Sequence, residues 1–294
     1  MINTHILTQE FDYLEPKTID EAAKYLAKYG TKTRVIAGGT DLLVKMKMGE
    51  VRPEVLINIS RIPALRYLIG DKDVRIGALT PFRELEKSRV IKEEFTALFE
   101  AARSISSVQI KTMGTIGGNL CHASPAADSA PPLIVLGGEV KLIQDGSERT
   151  LPVEEFFVGP GETVLSPKEL LVEIQIPEAK GRMGSAFFKM GRVAADLSKV
   201  SVAVALVRDG DLCRDCRIAL GAVAKTPLRV KKGEEILKGK KVTEALIHKT
   251  GEQVSLEIQP ITDSRSTAWY RKEVAKVMTR DAIKLAWERA GGKT

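Results

Sequence analysis

Cysteine is scarce, with three in 294 residues, an odd count that does not suit a fully paired disulfide framework and agrees with a reducing compartment. Histidine is equally rare at three, and aromatic residues make up only 5% of the chain. No H-E-x-x-H, G-x-S-x-G or G-x-G-x-x-G sequence occurs, which leaves the zinc-peptidase, serine-hydrolase and dinucleotide-Rossmann readings without their signatures. A P-loop is missing too: Gly233 to Gly239, followed by Lys240-Lys241, has five intervening residues instead of four and no Ser or Thr after the lysine. No window approaches the roughly 20 apolar residues of a spanning helix, and the first sixteen residues carry acids early with no apolar stretch of signal-peptide length. A cytoplasmic protein without a transmembrane segment is therefore expected.

What remains is an ordinary globular composition, 44% hydrophobic and 28% charged with 24 Gly and 13 Pro. The length exceeds the roughly 250 residues at which one core stops growing, so two or three domains are expected. The net charge of +7 is concentrated between Lys225 and Lys249, where eight Lys/Arg face three Glu. That run lacks the interleaved aromatics on which single-strand binders stack bases, so a solvated helix face is a better reading than a nucleic-acid surface.

Thr18-Ile-Asp-Glu21 has capping-box spacing, and Ala22, Ala23, Leu26 and Ala27 follow on one stripe until Gly30, predicting a short helix. A β-branched run at Arg34-Val35-Ile36, a Gly-Gly turn, a helix over 41–48 and a strand over 55–59 complete an α/β unit with parallel strands in residues 1–60. From 61 to 177 the pattern changes. Strands over 65–69 and 74–76 flank the Asp71-Lys72-Asp73 turn, helices start near Pro81 and run over 93–103, and 133–176 alternates strands with Gly/Pro turns. This part reads as α+β with an antiparallel sheet. The polar stretch 177–184 marks a boundary. In 178–294, strands over 186–190, 200–207 and 213–223, the last two joined by Asp209-Gly210, precede a helical tail whose apolar stripe is Val274, Val277, Met278, Ala282 and Leu285.

Two glycine turns carry the chemical interest. Ala37-Gly38-Gly39-Thr40-Asp41 sits between a strand and a helix start, where free amides can hold a phosphate and glycine removes the Cβ that would keep a ligand away. Gly114-Thr-Ile-Gly117-Gly118-Asn119 repeats that chemistry about 75 residues later, and two such turns suit a pyrophosphate held from both sides. Cys121-His122, read on an extended segment, would point to opposite sides and make a poor nucleophile–base pair. Cys213-Arg-Asp-Cys216 has half a metal or redox spacing, but too few other ligands exist, and two unrelated cysteines are the better reading. His5 and His248 are isolated and expected at the surface. With side-chain catalysis so poorly supported, a bound cofactor explains the two turns better.

On these residues the chain resembles the FAD-binding medium subunits of molybdenum hydroxylases, such as carbon monoxide dehydrogenase and xanthine dehydrogenase. The matching pieces are Val35-Ile-Ala-Gly-Gly-Thr-Asp-Leu-Leu43 and Thr115-Ile-Gly-Gly-Asn119, which runs on into Ala123-Ser-Pro-Ala-Ala-Asp128. Phe188-Lys189 with Arg192 and Asp196, Thr226-Pro227 with Arg229, and Trp269-Tyr270-Arg271 extend the match over nearly the whole chain. The resemblance implies an α+β protein: a two-subdomain FAD-binding fold of the vanillyl-alcohol-oxidase type followed by a small sheet-plus-helices domain.

It also implies that Ile36, Ala37, Gly38, Gly39, Thr40, Asp41, Leu42 and Leu43, with Thr115, Ile116, Gly117, Gly118 and Asn119, hold the flavin's diphosphate and ribityl regions. Asp128, Leu171 and Lys189 are implied as further contacts, and Ile105 stands where some relatives place an aromatic residue near the flavin. Lys189 near the ring would favour the reduced cofactor's negative charge. FAD is expected as the sole cofactor, because the cysteines are too few for the iron–sulfur loop of some relatives. The implied partners are a molybdopterin-containing large subunit, a small subunit with 2Fe–2S clusters, and an acceptor such as NAD or a quinone. The rival within flavoproteins is a stand-alone NAD(P)H reductase similar to the UDP-sugar reductases; a basic nucleic-acid-binding module is the rival outside them.

Overall fold

The computed structural model describes residue 7, residues 9–178 and residues 181–291; His5 lies outside them. The first layer is built from β1 (Asp12–Leu14), α1 (Ile19–Tyr29), β2 (Thr33–Ile36), α2 (Leu42–Lys47) and β3 (Val55–Asn58). Its three strands run parallel in the order β1-β3-β2. β1 has no apolar alternation and was not expected from the sequence; pairing with β3 makes it a strand. Thr18 caps α1 as the box predicts, its hydroxyl accepting from the Glu21 amide at 3.1 Å, while the Glu21 carboxylate reaches the Lys17 amide at 2.6 Å. Thr18→Ala is expected to cost about 1 kcal/mol, read as a shift of the urea midpoint.

The second layer starts with β4 (Leu68–Ile69) and β5 (Val74–Gly77), then runs through six short helices: α3 (Phe82–Lys87), α4 (Arg89–Glu94), α5 (Thr96–Ser104), α6 (Val108–Met113), α7 (Ile116–His122) and α8 (Ala130–Val135). β6 (Glu139–Gln144), β7 (Ser147–Pro152), the β8–β9 hairpin (Phe157–Gly159 and Glu162–Thr163) and β10 (Leu170–Ile176) complete it. The main sheet has the order β4-β5-β10-β6-β7 and is antiparallel, as expected. The helix expected over 93–103 is broken instead. Phe95 leaves helical geometry at φ −124°, ψ 52° and buries its ring in the core, so packing overrides a pattern that reads as continuous.

The third layer comprises β11 (Arg182–Met190), β12 (Val200–Asp209), β13 (Leu212–Gly221), β14 (Leu228–Arg229), α9 (Lys231–Leu237), β15 (Lys240–Lys241), α10 (Glu244–Glu257) and α11 (Ala268–Ala290). Its antiparallel sheet runs β11-β12-β13-β14, with β15 beside β13. A bulge at Arg214 lets Asp215 face Val207 while Cys213 faces Arg208, so Cys213 and Cys216 both enter the core that the helices cover. Met278, Ala282, Ile283 and Ala286 of α11 are buried in that core, but Val277, expected on the stripe, is 53% exposed. Half of the basic run is paired: Arg229 and Lys231 with Glu154, Arg229 also with Glu234, Lys238 with Asp215 and Lys241 with Asp211. Among the described residues no helix is long and apolar enough to cross a membrane.

Polar ties join the third layer to the second. Arg289, near the end of α11, donates to Ser185 O at 2.7 Å and to Glu100 Oε1 at 2.6 Å, and the Glu100 carboxylate also accepts from the Phe187 amide at 2.8 Å. β11 is thereby fixed along α5, and the end of that strand is aimed at the cleft described next.

Candidate functional site

A cleft of about 650 Å³ lies where the three layers meet, at the carboxyl edge of the parallel strands β2 and β3. That edge is where open parallel sheets leave room for a ligand. Of the residues expected to contact a cofactor, all but Leu43 and Ile116 line it. Ile116 is fully buried in the second core, and Leu43 packs its side chain at Gly39. The cleft also takes in residues that sequence reasoning did not select, among them Lys45, Gly161, Glu169 and Leu197.

The two glycine turns touch each other. A Cβ on Gly38 would stand 1.9 Å from Met113 O and 3.2 Å from Gly114 Cα, so the backbone of the first turn is packed directly on that of the second. Gly39 has φ +71°, in the left-handed region that favours glycine. The amides of Gly38, Gly39, Thr40, Asp41 and Leu42 donate to no acceptor among the described residues. Lys45, one turn into α2, makes no ion pair among the described residues, and its Nζ lies 4.0 Å from where a Gly161 Cβ would be. Together they form a cluster of donors and positive charge facing open space.

The second turn differs from the expectation of two matching donor turns. Ile116 donates to Thr80 O at 3.1 Å and Gly117 to Ala78 O at 3.0 Å, while Gly118 donates to Thr115 Oγ1 at 3.1 Å and Asn119 to Thr115 O at 3.0 Å. Of the turn's amides only that of Thr115 has no acceptor among the described residues; the others are spent on building it. What it offers the cleft is the Asn119 side chain; a Cβ on Gly118 would stand 2.8 Å from Thr115 Oγ1, so the glycine makes room for the cap. Asn119 Oδ1 accepts from Ser129 Oγ at 2.7 Å, which orients its Nδ2 as the remaining donor.

At the other end, Asp128 and Lys189 form a buried ion pair, Nζ to Oδ2 at 2.6 Å with both side chains 8% exposed. Lys189 also donates to Ser104 O at 3.2 Å, and Ser198 Oγ donates to Asp128 Oδ1. Burial pushes the Asp128 carboxyl above its usual range, against the pull of Lys189 and Ser198. The lysine thus reaches the cleft with a compensating carboxylate, so the pair acts as a dipole and not as the bare cation that the Coulomb expectation required.

Cys121 and His122 lie on α7, not on an extended segment. Successive residues on a helix diverge by about 100°, and they still make no pair. His122 Nε2 stands 3.5 Å from Asp41 Oδ1, and desolvation lowers its pKa, with Asp41 opposing and Lys45 reinforcing the shift. Cys121 is exposed where it lines the cleft, and desolvation by the surrounding protein pushes its thiol up to about 12. Maleimide labelling of Cys121 at pH 7.5 is expected to be roughly three orders of magnitude slower than for a free cysteine, whose pKa is near 8.5, and slower again with the cleft filled. Cys213 and Cys216 are buried away from the cleft, His248 is exposed, and no cluster of metal-ligating side chains occurs among the described residues.

Comparison with known proteins agrees with this geometry. Residues 9–179 match the family described as FAD binding domain in molybdopterin dehydrogenase, and residues 185–286 match the CO dehydrogenase flavoprotein C-terminal domain. The chain is 33% identical to the glyceraldehyde dehydrogenase medium chain of Sulfolobus acidocaldarius, over 94% of this chain and 98% of that one. It is 30% identical to the xanthine dehydrogenase FAD-binding subunit of Escherichia coli O157:H7, over 96% and 97%. Among solved structures it superposes on carbon monoxide dehydrogenase from Hydrogenophaga pseudoflava with a TM-score of 0.93 at 33% identity, covering 97% of this chain and 99% of that one. The chain belongs to the FAD-binding subunits of the molybdenum hydroxylase family, the flavoproteins of carbon monoxide dehydrogenase and xanthine dehydrogenase type.

Proposed function

We propose that this cleft holds FAD so that electrons arriving from the 2Fe–2S clusters of a small partner subunit, after substrate is oxidised at a molybdopterin-containing large subunit, leave through it to NAD, a quinone or another acceptor. The observation that carries this reading is the row of five unpartnered amides from Gly38 to Leu42 beside Lys45, a donor set matched to a diphosphate. Bound FAD would supply the redox chemistry, which none of the side chains here can perform. In the proposed division of labour, residues 1–60 and 61–177 supply the two walls and residues 178–294 bring Lys189.

Within the cleft each group has a task. Gly39, at φ +71°, gives the first turn its left-handed bend, and Asn119 Nδ2 offers a donor to a ribityl hydroxyl. Ile36, Ala37, Ile105 and Leu171 furnish apolar walls that keep water from the ring. The Asp128–Lys189 pair sets a fixed dipole beside it. Thr40, Asp41, Leu42, Thr115 and Gly117 complete the contact set, whereas Leu43 and Ile116 act from behind it.

FAD at about 100 times its dissociation constant is expected to add ~2.7 kcal/mol to the unfolding free energy of the apoprotein, seen as a rise in Tm. Purification of the tagged chain from its source is expected to recover two further subunits, one with a molybdenum–pterin and one with iron–sulfur clusters. A yellow chain that purifies alone and oxidises NADPH with a UDP-sugar would support the stand-alone reductase instead. A colourless chain that binds RNA with a steep salt dependence would support the nucleic-acid module.

A further inference from the structure

Arg271 is the largest fully buried side chain among the described residues and lies outside the cleft. It stands in the first turn of α11, 1% exposed. Nη1 donates to both Lys199 O and Ala222 O at 2.9 Å, and Nη2 donates to Asp263 Oδ1 at 2.7 Å. The two carbonyls flank the open end of the β12–β13 hairpin, where Ser201 faces Gly221. Such a buried guanidinium is costly unless its acceptors are held in place, and here they belong to three separate segments.

Both carbonyls belong to segments that reach the Asp128–Lys189 pair. Ala222 has φ +62°, an unfavourable conformation for alanine, and from it the Ala222 amide donates to Pro125 O at 2.6 Å, three residues before Asp128. The Lys199 amide donates to Met190 O at 2.7 Å, next to Lys189, and the preceding Ser198 donates to Asp128 Oδ1. The two side-chain partners of Asp128 are thus close in the chain to what Arg271 grips: Ser198 precedes Lys199, and Lys189 precedes the Met190 that accepts from the Lys199 amide.

We infer that Arg271 is a positioning residue for the cofactor: one guanidinium, by tying Lys199 O to Ala222 O, fixes the register of the Asp128–Lys189–Ser198 node that faces the cleft. This rests on the reading that Asp128 and Lys189 face FAD, and it adds that their placement is controlled from behind the sheet, about a hairpin's width away. A purely structural arginine would lower Tm without coupling to Lys189.

A double-mutant cycle on FAD affinity separates the cases. Arg271→Lys keeps the charge but has one nitrogen where the guanidinium uses two, so it cannot reproduce the planar fork that holds the two carbonyls and Asp263 together. It is expected to raise the FAD Kd about tenfold, and Lys189→Met about tenfold or more. The double variant is expected to fall short of the product by at least fivefold, because the same contact is lost twice. If Arg271→Lys does not fold, Asp263→Asn loosens the same clamp and replaces it in the cycle. Absorbance of bound FAD is read alongside, and Arg271→Lys is expected to reproduce the band shift of Lys189→Met. Strictly multiplicative effects, or an unchanged spectrum with only Tm reduced, would overturn the inference. No effect of Lys189→Met on either FAD readout would instead overturn the underlying reading that Lys189 faces the cofactor.

Discussion

Gly38→Ala is expected to weaken FAD binding by about 100-fold or more while the rest of the fold survives. The added Cβ would lie 1.9 Å from Met113 O and 2.7 Å from Met113 C. Both are backbone atoms, so no rotamer change relieves the clash and the two turns must move apart. Overpacking of this kind costs typically 1–3 kcal/mol, and here the strain falls on the segment that carries the five free amides. Loss of alignment to a diphosphate then multiplies across several hydrogen bonds, and 100-fold corresponds to about 2.7 kcal/mol of binding. The Kd is measured by flavin fluorescence, with the apoprotein's Tm recorded to separate a local effect from general unfolding. A Kd within threefold of the original would show that the contact between the turns does not shape the site.

Lys189→Met is expected to destabilise the protein strongly at neutral pH and much less in acid. Removing one partner of a buried ion pair costs about 3–5 kcal/mol because the other charge is left uncompensated. Asp128 escapes by taking a proton, and the cost of doing so at pH 7, from its ordinary value of 3.8, is about 4 kcal/mol, falling to about 2 kcal/mol at pH 5. The sign follows from proton binding. A carboxyl whose folded pKa lies above its unfolded value holds more protons folded than unfolded, so its contribution favours the folded state in acid and is lost as pH rises. Burial already raises Asp128 in the intact protein, and the variant loses the lysine that opposes this. Urea denaturation at pH 5 and pH 7 should therefore show the gap between the two proteins widening with pH; a constant gap would mean that Asp128 is not desolvated.

Features of the fold and cleft that are local in sequence were legible in advance. Thr18 and Glu21 announce their helix because a capping box closes within four residues, and the Gly38-Gly39 turn stands between a readable strand and helix. What could not be read was set by distant packing. The glycine at 38 serves a backbone contact 75 residues away, so its meaning depends on Met113. Lys45, Glu169 and Leu197 join the cleft only because the layers meet there, and no local pattern marks them. Phe95 breaks a continuous helical pattern to fill the core, and Val277 keeps the apolar period of α11 while facing solvent. Cys121 and His122 read as an extended segment in sequence, whereas they lie on α7, which turns the two side chains in different directions, and the thiol stays protonated at neutral pH.

The central claim, that this chain binds one FAD in the cleft between its layers, is tested most directly by titrating the apoprotein with FAD while following flavin fluorescence and the labelling of Cys121. One equivalent per chain is expected at saturation, with Cys121 protected in proportion to occupancy and both effects weakened by Gly38→Ala. Absence of saturable binding, or full occupancy that leaves the labelling of Cys121 unchanged, would contradict it.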